Sequence, residues 1–477
     1  MKKTILCLLF AAATSIPCAG KKAGNPNIIL IFCDDLGYAD LSCYGSIWNQ
    51  TPEIDRMAVE GVRFTDFYAG APVCTPSRAG LMTGCYARRV DLDLDEKNYW
   101  VLFPGAQKGI NPEETILPEM LKKAGYATAI IGKWHLGDQP VFFPTRNGFD
   151  YWFGLPYSND MGTRKQGRLL LPLMKNETVS DTIEQQDEAA MSRLTLRYTE
   201  EAIRWIGENR RNPFFLYLAH TMPHNPVAAR EQFYQQTCNP KKGYGASVAE
   251  ISWSTGKILD FLKKEKLAEN TLVILTSDNG GALTFGSSNG ILKGQKGQIS
   301  EGGVRVPCIA WWPGKINPGT TCHAPASVID FYQTFSSLAK LQSKDHTKRD
   351  GADISDYLFN PGTERKARPY FYWHVGYIQA VRYGDWKVNL MSRFSAEERQ
   401  NILNSTYKHT IFPDQLELYD LRNDPGETKN VADKHPGLVK EMMEMVEKER
   451  SLLGQYTDKG PEVRKTMMVE NPKLVIR

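Results

Sequence analysis

Asn27-Ile-Ile-Leu-Ile-Phe-Cys33 is the stretch that decides the fold class, and two carboxylates, Asp34 and Asp35, follow it directly. An uninterrupted apolar run of this length is typical of a strand that is buried on both faces of a parallel sheet. Ligands of open α/β sheets bind beyond the carboxyl ends of such strands. The stretch therefore predicts an α/β fold in which Asp34 and Asp35 belong to a functional site.

Three further apolar runs share this design, because polar side chains follow each of them. They are residues 127–131, followed by Lys133 and His135; Phe214–Ala219, followed by His220 and His224; and residues 272–275, followed by Asp278 and Asn279. Helical stretches separate the runs. The pattern predicts a large, mixed, mostly parallel sheet that is sandwiched by helices and carries polar groups from four strands at one edge.

The pattern changes beyond about residue 350, where short strands replace the alternation of strands and helices. Residues 368–374, 380–390 and 417–421 are predicted hairpin strands of a smaller antiparallel sheet. Pro436–Leu453 has the helical spacing of apolar residues and is predicted to pack on that sheet. We therefore expect three parts: a signal peptide over residues 1–20, a catalytic domain over 25–350 and a C-terminal subdomain over 351–477.

The N-terminus is typical of a secretory signal peptide. Lys2 and Lys3 precede a short apolar stretch over residues 4–13, and small residues follow around 15–20. Two exported forms are open: a soluble protein, or a lipoprotein acylated at Cys18, whose surroundings loosely resemble a bacterial lipoprotein site. In either form we expect export to the bacterial periplasm or cell surface, and no transmembrane segment in the mature chain.

Composition excludes two other classes of protein. The hydrophobic content of 42% is too high for a disordered chain. The 58 Lys and Arg residues nearly balance 54 Asp and Glu residues, and a formal charge of +4 over 477 residues does not indicate a nucleic-acid partner. The chain has nine cysteines. Cys7 and Cys18 belong to the signal region, so an odd number remains after export.

Asp34, Asp35, Asp278 and Asn279 form a candidate metal site. Three carboxylates at neighbouring strand ends repel one another strongly unless a cation or protons compensate them. Ligands that are all oxygen atoms, including one amide, suit Ca²⁺ or Mg²⁺ better than Zn²⁺. The alternative is purely local structure, with Asp34 and Asp35 in a loop cap and Asp278-Asn279-Gly280 in a simple turn.

Cys74-Thr-Pro-Ser-Arg78 is a turn that leads into a predicted helix. A cysteine at a helix N-terminus lies in positive backbone potential, and the nearby arginine adds to it. The two features predict an activated thiol beside an anion site. A buried structural cysteine is the alternative interpretation of the same residue.

These segments together resemble one enzyme family. Cys74-Thr-Pro-Ser-Arg78, the stretch from Gly125 to His135, residues 292–307 and residues 417–427 are similar to segments of the formylglycine-dependent (type I) sulfatases. The resemblance extends from about residue 25 to residue 455 and is strongest to the branch of arylsulfatase A and N-acetylgalactosamine-6-sulfatase. It implies an alkaline-phosphatase-like fold and a sulfuric ester hydrolase.

In this family the cysteine of the motif is oxidised to Cα-formylglycine (3-oxoalanine), so the resemblance implies a maturation enzyme that modifies Cys74. It implies that the metal ligands are Asp34, Asp35, Asp278 and Asn279, with Ca²⁺ expected rather than Mg²⁺. The remaining implied roles are two groups that hold the nucleophile, Arg78 and Lys133; a base, His135; an acid for the leaving oxygen, His224; and two sulfate contacts, Lys296 and Ser158.

Some residues keep two interpretations. His220 is assigned to the strand end, because the His-Asn-Pro step fits the family better at His224. His374 either lines a sugar pocket or packs in an aromatic hairpin, and Ser158 either lies near the sulfate or is a simple loop serine. Residues 91–109 and 157–175 are the expected specificity loops. Six mature cysteines remain besides Cys74, of which Cys33 and Cys308 are expected to be free.

The expected substrate is a sulfated sugar of galactose or N-acetylgalactosamine type, from a glycosaminoglycan, mucin or algal glycan, attacked in an exo manner. The alternatives are an arylsulfatase of broad specificity, a phosphatase or phosphodiesterase on the same scaffold, and a non-catalytic sugar-binding relative. The phosphatase class usually has two metals and an unmodified serine or threonine. A non-catalytic relative is expected to lose Cys74, Arg78 or a metal ligand, and all of these are present.

Overall fold

The structure is a computed structural model that describes residues 24–341, 347–364, 366–406 and 410–476. The expected signal peptide, with Cys7 and Cys18, lies outside the described residues. In chain order the strands are β1 (Asn27–Cys33), β2 (Val62–Phe64), β3 (Phe67–Tyr68), β4 (Lys108–Gly109), β5 (Ala127–Gly132), β6 (Tyr151–Gly154), β7 (Thr163–Lys165), β8 (Arg168–Lys175), β9 (Thr178–Glu184), β10 (Phe214–Ala219), β11 (Thr271–Ser277), β12 (Cys308–Trp311), β13 (Thr320–Cys322), β14 (Ala326–Ser327), β15 (Pro369–His374), β16 (Tyr377–Tyr383), β17 (Trp386–Asn389), β18 (Glu417–Asp420), β19 (Gly454–Gln455), β20 (Asp458–Lys459) and β21 (Met467–Met468).

The α-helices lie between these strands and after them. They are α1 (Pro52–Val59), α2 (Cys74–Thr83), α3 (Leu117–Lys122), α4 (Glu188–Met191), α5 (Leu194–Asn209), α6 (Lys242–Lys264), α7 (Glu301–Val304), α8 (Phe331–Leu338), α9 (Ser355–Phe359), α10 (Ala396–Ser405) and α11 (Pro436–Leu453). Among the described helices, none combines the length and the apolarity that crossing a membrane requires.

The main sheet has its parallel part in the middle. Its order is β13-β2-β12-β11-β1-β10-β5-β6-β8-β7, and β9 also pairs with β8. The strands from β11 to β6 are parallel neighbours, whereas β12 and β8 join this block in antiparallel orientation. The four runs that end in polar residues are the adjacent strands β11, β1, β10 and β5. Their carboxyl ends therefore meet at one edge, which confirms the predicted arrangement.

Side chains of β1 alternate between two hydrophobic layers, as strand geometry requires. Ile28, Leu30 and Phe32 belong to a cluster that includes residues of α2, α3 and α8. Ile29 and Ile31 belong to a second cluster, with residues of α1, α5 and α6. Helices thus cover both faces of the main sheet, as predicted.

The C-terminal part contains a second, antiparallel sheet of order β15-β16-β17-β18, and α11 packs against β16. The predicted small sheet with a packing helix is confirmed, and α11 has the predicted bounds. Residues 380–390 hold the end of β16, a turn and β17 rather than one continuous strand. The turn includes Gly384, whose φ of +61° is a conformation that glycine adopts without strain.

Candidate active site

Carboxylates from two adjacent strand ends meet at the carboxyl edge of the main sheet. Asp34 and Asp35 follow β1, while Asp278 and Asn279 follow its neighbour β11, and all four side chains are buried. The Asp35 backbone N–H donates to Asp278 Oδ1 at 3.2 Å, and Asn279 Nδ2 donates to Asp35 Oδ1 at 2.7 Å. The structure therefore brings together the four residues that were predicted as metal ligands.

Buried cationic side chains face these carboxylates. Arg78, on α2, donates from Nε and Nη2 to Asp278 Oδ2 at 3.1 and 2.7 Å. Lys133, just beyond β5, donates from Nζ to Asp34 Oδ2 at 2.6 Å. Both cations are fully buried. Because a buried charge is costly unless opposite charges and hydrogen bonds compensate it, the cations and carboxylates of this cluster depend on one another.

The cluster shifts the pKa values of Asp34 and Asp278 in opposite directions. Burial opposes the ionisation of Asp34, but its cationic neighbours, Lys133 first, outweigh burial and hold the pKa of Asp34 below its ordinary value. Burial and then the charge of Asp34 raise the pKa of Asp278. A bound cation would favour the charged form of such a carboxyl group.

The described residues fit a hard divalent cation. Asp34 Oδ1 and Asn279 Oδ1 are buried oxygen atoms without a hydrogen-bond partner in the described part of the chain. Unsatisfied buried polar atoms destabilise a protein, and oxygen atoms are the ligands that Ca²⁺ and Mg²⁺ prefer. Ligand atoms of Asp34, Asp35 and His224 also lie within 4.8 Å of one another. His224 thus stands beside the predicted set of oxygen ligands.

Cys74 is the first residue of α2 and is buried, with 3% of its surface exposed. The stretch from Cys74 to Arg78 belongs to α2 itself, whereas the sequence predicted a turn before the helix. The location of Cys74 at the helix N-terminus is as predicted. Burial raises the pKa of the Cys74 thiol, and Lys133 and Lys296 offset this effect only in part. Burial therefore opposes the predicted activation of the unmodified thiol, because the thiolate is the reactive form of cysteine.

The two histidines of the predicted catalytic set differ in their hydrogen bonds. His135 Nε2 lies 2.9 Å from the Leu102 carbonyl oxygen, and its buried Nδ1 has no partner among the described residues. Burial holds the pKa of His135 well below its ordinary value, so its Nδ1 is a free acceptor. His224 Nδ1 lies 2.5 Å from the Asn225 carbonyl oxygen, and its Nε2 lies 3.7 Å from Asp35 Oδ2. Both nitrogen atoms of His224 thus face oxygen atoms.

A cavity of about 300 Å³ opens beside the buried cluster. Cys74, Lys296, His224 and Ser158 line it. Lys296 Nζ lies 2.9 Å from Asp35, and the buried Ser158 Oγ has no hydrogen-bond partner in the described chain. The cavity therefore places the predicted nucleophile, the predicted acid and both predicted sulfate contacts around one space, whose volume is at the lower end of the range for small-molecule sites.

Two loops supply most of the remaining cavity wall, and Val73, the residue before Cys74, also lines it. Their lining residues are Trp100, Val101, Phe103 and Pro104 in one loop, and Asp160, Met161 and Gly162 in the other. Both loops lie within the expected specificity loops. No individual role was predicted for Trp100 or Asp160, although Asp160 stands two residues after the predicted Ser158 in the same segment. The only sequence feature that pointed to Trp100 and Asp160 was their position within the expected specificity loops.

His220 and His374 do not line this cavity. His220 Nε2 lies 3.4 Å from Ser254 Oγ on α6, and the ring of His374 packs 5.9 Å from that of Trp100, measured between centroids. Burial lowers the pKa of His220 to about 4 and that of His374 to about 3. These positions favour a strand-end residue for His220 and a packed hairpin for His374.

The seven cysteines of the described residues are all free. Cys33 and Cys308 are buried thiols, as expected. The other four besides Cys74 form no disulfide in the described chain either. The six described cysteines other than Cys74 are therefore not paired in disulfide bonds.

Fold and site together define a sulfuric ester hydrolase, and comparison with known proteins identifies its family. The family model described as Sulfatase matches residues 26–341, and the model of the C-terminal region of aryl-sulfatase matches residues 365–471. The chain belongs to the sulfatase family, whose members are formylglycine-dependent and metal-binding. The predicted family and enzyme class are confirmed.

Similar proteins of this family act on sulfate esters of different kinds. N-acetylgalactosamine-6-sulfatase of Canis lupus familiaris is 36% identical over 446 residues, which cover 88% of this chain and 84% of the relative. Arylsulfatase A of Homo sapiens is 34% identical over 463 residues, which cover 91% of this chain and 88% of the relative. These two proteins represent the branch that the sequence motifs indicated.

Solved structures confirm the alkaline-phosphatase-like fold. The crystal structure of Ps i-CgsB in complex with k-i-k-neocarrahexaose has a TM-score of 0.74 and 29% identity, covering 89% of this chain and 92% of that one. The PsFucS1 sulfatase from Pseudoalteromonas sp. has a TM-score of 0.75 and 27% identity, covering 91% and 92%. The phosphonate monoester hydrolase of Agrobacterium radiobacter, at 19% identity and a TM-score of 0.59, shares the fold alone.

Proposed function

We propose that this sulfatase removes sulfate from a terminal sugar of galactose or N-acetylgalactosamine type, with formylglycine formed from Cys74 as its nucleophile. The observation that carries the proposal is the position of Cys74. It begins α2, opens onto the cavity together with Lys296 and His224, and lies against the buried cluster of carboxylates and cations. A thiol that burial keeps protonated is a poor nucleophile there, whereas an oxidised residue needs no thiolate.

The modified residue supplies two hydroxyl groups from its hydrated aldehyde: one attacks sulfur, and loss of the proton of the other releases sulfate. The chain must then provide an acid and a base at separate atoms. His224, which lines the cavity, protonates the oxygen atom of the departing sugar. His135 accepts the proton of the second hydroxyl at Nδ1, which is free because Nε2 is directed at the Leu102 carbonyl oxygen.

Cationic groups hold the reacting anions. Lys296 lines the cavity and binds sulfate oxygen atoms as a point charge, with Ser158 beside it. Arg78 and Lys133 orient the modified residue from the buried side, where they already hold Asp278 and Asp34. Fixed positive groups of this kind stabilise the negative charge that develops during sulfate transfer.

We assign the metal site to Asp34, Asp35, Asp278 and Asn279, with Ca²⁺ as the ion. The unsatisfied oxygen atoms of Asp34 and Asn279 support this assignment, and the all-oxygen donor set favours Ca²⁺ or Mg²⁺ over Zn²⁺. When bound, the ion supplies Lewis-acid polarisation of the sulfate group.

A carbohydrate substrate is supported by the size of the cavity and by the relatives. The cavity of about 300 Å³ suits one sugar ring with its sulfate better than a long chain segment. One relative is named for N-acetylgalactosamine 6-sulfate, and one similar structure holds a neocarrahexaose. We therefore propose that the enzyme acts in an exo manner on galactose-type residues of glycosaminoglycans, mucin or algal glycans.

We also propose that the protein is exported, to the bacterial periplasm or cell surface, after removal of residues 1–20 or acylation at Cys18. The proposed parts are a catalytic domain over residues 25–350 and a C-terminal subdomain over 351–477. A formylglycine-generating enzyme is the proposed maturation partner.

The decisive experiment produces the protein together with a formylglycine-generating enzyme. The mass of the peptide that contains Cys74 is measured, and sulfated monosaccharides, disaccharides and simple aryl sulfates are assayed. We expect formylglycine at position 74 and release of sulfate from galactose-type sugars. Cys74→Ala should abolish turnover, whereas the matched variant of the exposed thiol, Cys238→Ala, should retain it.

Three outcomes would contradict the proposal. Unmodified Cys74 in active protein would exclude formylglycine as the nucleophile. Turnover of a phosphate monoester well above that of the matching sulfate ester would instead support phosphatase chemistry on this fold. Activity restricted to simple aryl sulfates would contradict the assignment of a sugar substrate.

A further inference from the structure

Asp160 is the one carboxylate among the described residues that line the active-site cavity. Its side chain is exposed, and no hydrogen bond or ion pair joins it to another described residue. The other charged group of the lining, Lys296, is cationic, and its Nζ lies 2.9 Å from Asp35. A carboxylate without a partner among the described residues therefore faces the same space as the proposed sulfate contact.

The position of Asp160 is well defined, because the residues on either side of it are anchored. Asn159 is buried, and its Nδ2 donates to the carbonyl oxygen atoms of His224 at 3.3 Å and Pro226 at 3.1 Å. The Met161 backbone N–H closes a turn onto the Ser158 carbonyl oxygen at 3.1 Å. These contacts tie the loop of Asp160 to the loop of the proposed acid.

Trp100 gives the same cavity an apolar wall that is also fixed. Its ring packs directly on the backbone at Gly297, where an added Cβ would come within 2.7 Å of Trp100 Cζ3. Gly297 follows Lys296, so Trp100 packs against the loop that carries the proposed sulfate contact. An apolar surface beside a few polar groups is the usual way in which a cavity orients a small ligand.

We propose that Asp160 determines which sugar the enzyme accepts. It accepts a hydrogen bond from a hydroxyl or amide N–H next to the scissile sulfate, and it repels a second sulfate or a carboxylate at that position, while the apolar face of the ring lies on Trp100. This inference rests on the proposed function, that the cavity binds a sulfated sugar. The substrate class is thus a sugar with one sulfate and a neutral neighbouring substituent.

A carboxylate at position 160 favours a neutral substituent next to the scissile sulfate over an anionic one, for two physical reasons. A carboxylate accepts hydrogen bonds but cannot donate them at neutral pH, so it favours the hydroxyl and N–H groups of a sugar. Two anions a few ångströms apart in a partly exposed site repel each other by an amount that changes binding by about five-fold or more. A site that binds a hydroxyl by hydrogen bond also discriminates strongly against an analogue that lacks it.

The test compares two substrates of one sugar, N-acetylgalactosamine 6-sulfate and its 4,6-disulfate, in matured wild type and in Asp160→Asn. We expect kcat/KM for the monosulfate to fall several-fold and kcat/KM for the disulfate to rise by about five-fold. Asp433→Asn, an exposed carboxylate that does not line the cavity, is the matched control and should change neither value. Opposite changes for the two substrates cannot arise from a general loss of folded protein.

A second pair of substrates separates this inference from the proposed sugar specificity. It consists of 4-nitrophenyl sulfate and a derivative that carries a carboxylate on the ring. Asp160→Asn should raise the rate for the carboxylate derivative relative to 4-nitrophenyl sulfate. If wild type hydrolyses aryl sulfates but no sugar sulfate, the proposed substrate fails while this pair still tests Asp160. Equal effects of the variant on both members of each pair would overturn the role of Asp160.

Discussion

At the scale of single residues, the two histidines with proposed catalytic roles differ in their hydrogen bonds. His135 directs Nε2 at the Leu102 carbonyl oxygen and keeps Nδ1 free. The nitrogen atoms of His224 both face oxygen atoms, those of Asn225 and Asp35. The free Nδ1 of His135 fits the proposed base, and the position of His224 in the cavity lining fits the proposed acid.

The proposed roles predict different responses to the leaving group. His224→Ala should lower kcat for a sugar sulfate by about 10²–10⁴-fold, because a sugar alkoxide must be protonated as it leaves. It should lower kcat far less for 4-nitrophenyl sulfate, whose leaving group is stable as an anion. His135→Ala should slow both substrates alike, since release of sulfate from the enzyme is common to them. Steady-state kinetics on both substrates measure the difference.

The control for these variants is His323→Ala, an exposed histidine outside the cavity, which should leave both rates unchanged. An equal loss of both activities in His224→Ala would show that His224 is not the acid for the leaving oxygen.

At the scale of elements, the ends of the central strands explain why so much of the site could be predicted. The runs that precede Asp34, Lys133, His224 and Asp278 are mostly apolar and almost wholly buried, which is typical of strands in the middle of a parallel sheet. Once they are parallel neighbours, their polar ends must meet. Trp100 and Asp160 could not be predicted in the same way, because their positions depend on loop contacts that have no periodic signal in the sequence.

The junction of β5 with the active site depends on Gly132. Its φ is +118°, and a Cβ at this position would lie 1.7 Å from the Ala219 carbonyl oxygen of β10. Gly132→Ala should therefore destabilise the protein by about 2 kcal/mol or more, through backbone strain and a clash that β10 cannot avoid. Activity should fall as well, because Lys133 is the next residue. Thermal unfolding and kcat measure the two effects.

Gly125→Ala is the matched control for the clash. Gly125 also has a positive φ, of +81°, but a Cβ there would meet nothing within 4 Å. This variant should show the backbone strain alone and should lose less stability than Gly132→Ala. Equal losses in the two variants would mean that contact with β10 contributes nothing.

At the scale of the whole molecule, a buried ion cluster joins the C-terminal sheet to the loop of Lys296. Lys387, on β17, is fully buried, and its Nζ lies 3.0 Å from Glu301 and 2.9 Å from Glu427. It also donates to the Ile299 carbonyl oxygen at 2.8 Å. The antiparallel sheet thus supports the catalytic part through the segment that follows Lys296.

Removal of Lys387 should destabilise the whole protein. Lys387→Met leaves the buried Glu427 without its cation and Glu301 with only the more distant Arg305, at 3.5 Å. Breaking a buried ion pair in this way typically costs about 3–5 kcal/mol. Lys263→Met, which removes the exposed partner of Glu60, should cost less than about 1 kcal/mol. Thermal unfolding compares the two variants. A Lys387→Met protein as stable as Lys263→Met would show that the buried cluster is not needed for stability.

The burial of Cys74 orders events in time. Once the chain has folded, this residue lies within the first turn of a packed helix and is 3% exposed, so another enzyme cannot enclose it in an active site of its own. If Cys74 is modified as proposed, its oxidation must therefore precede folding. A chain that folds with unmodified Cys74 cannot be oxidised afterwards. On this proposal, preparations of the protein contain two folded species, an active one with formylglycine and an inactive one with Cys74. Their ratio depends on the rate of oxidation relative to the rate of folding.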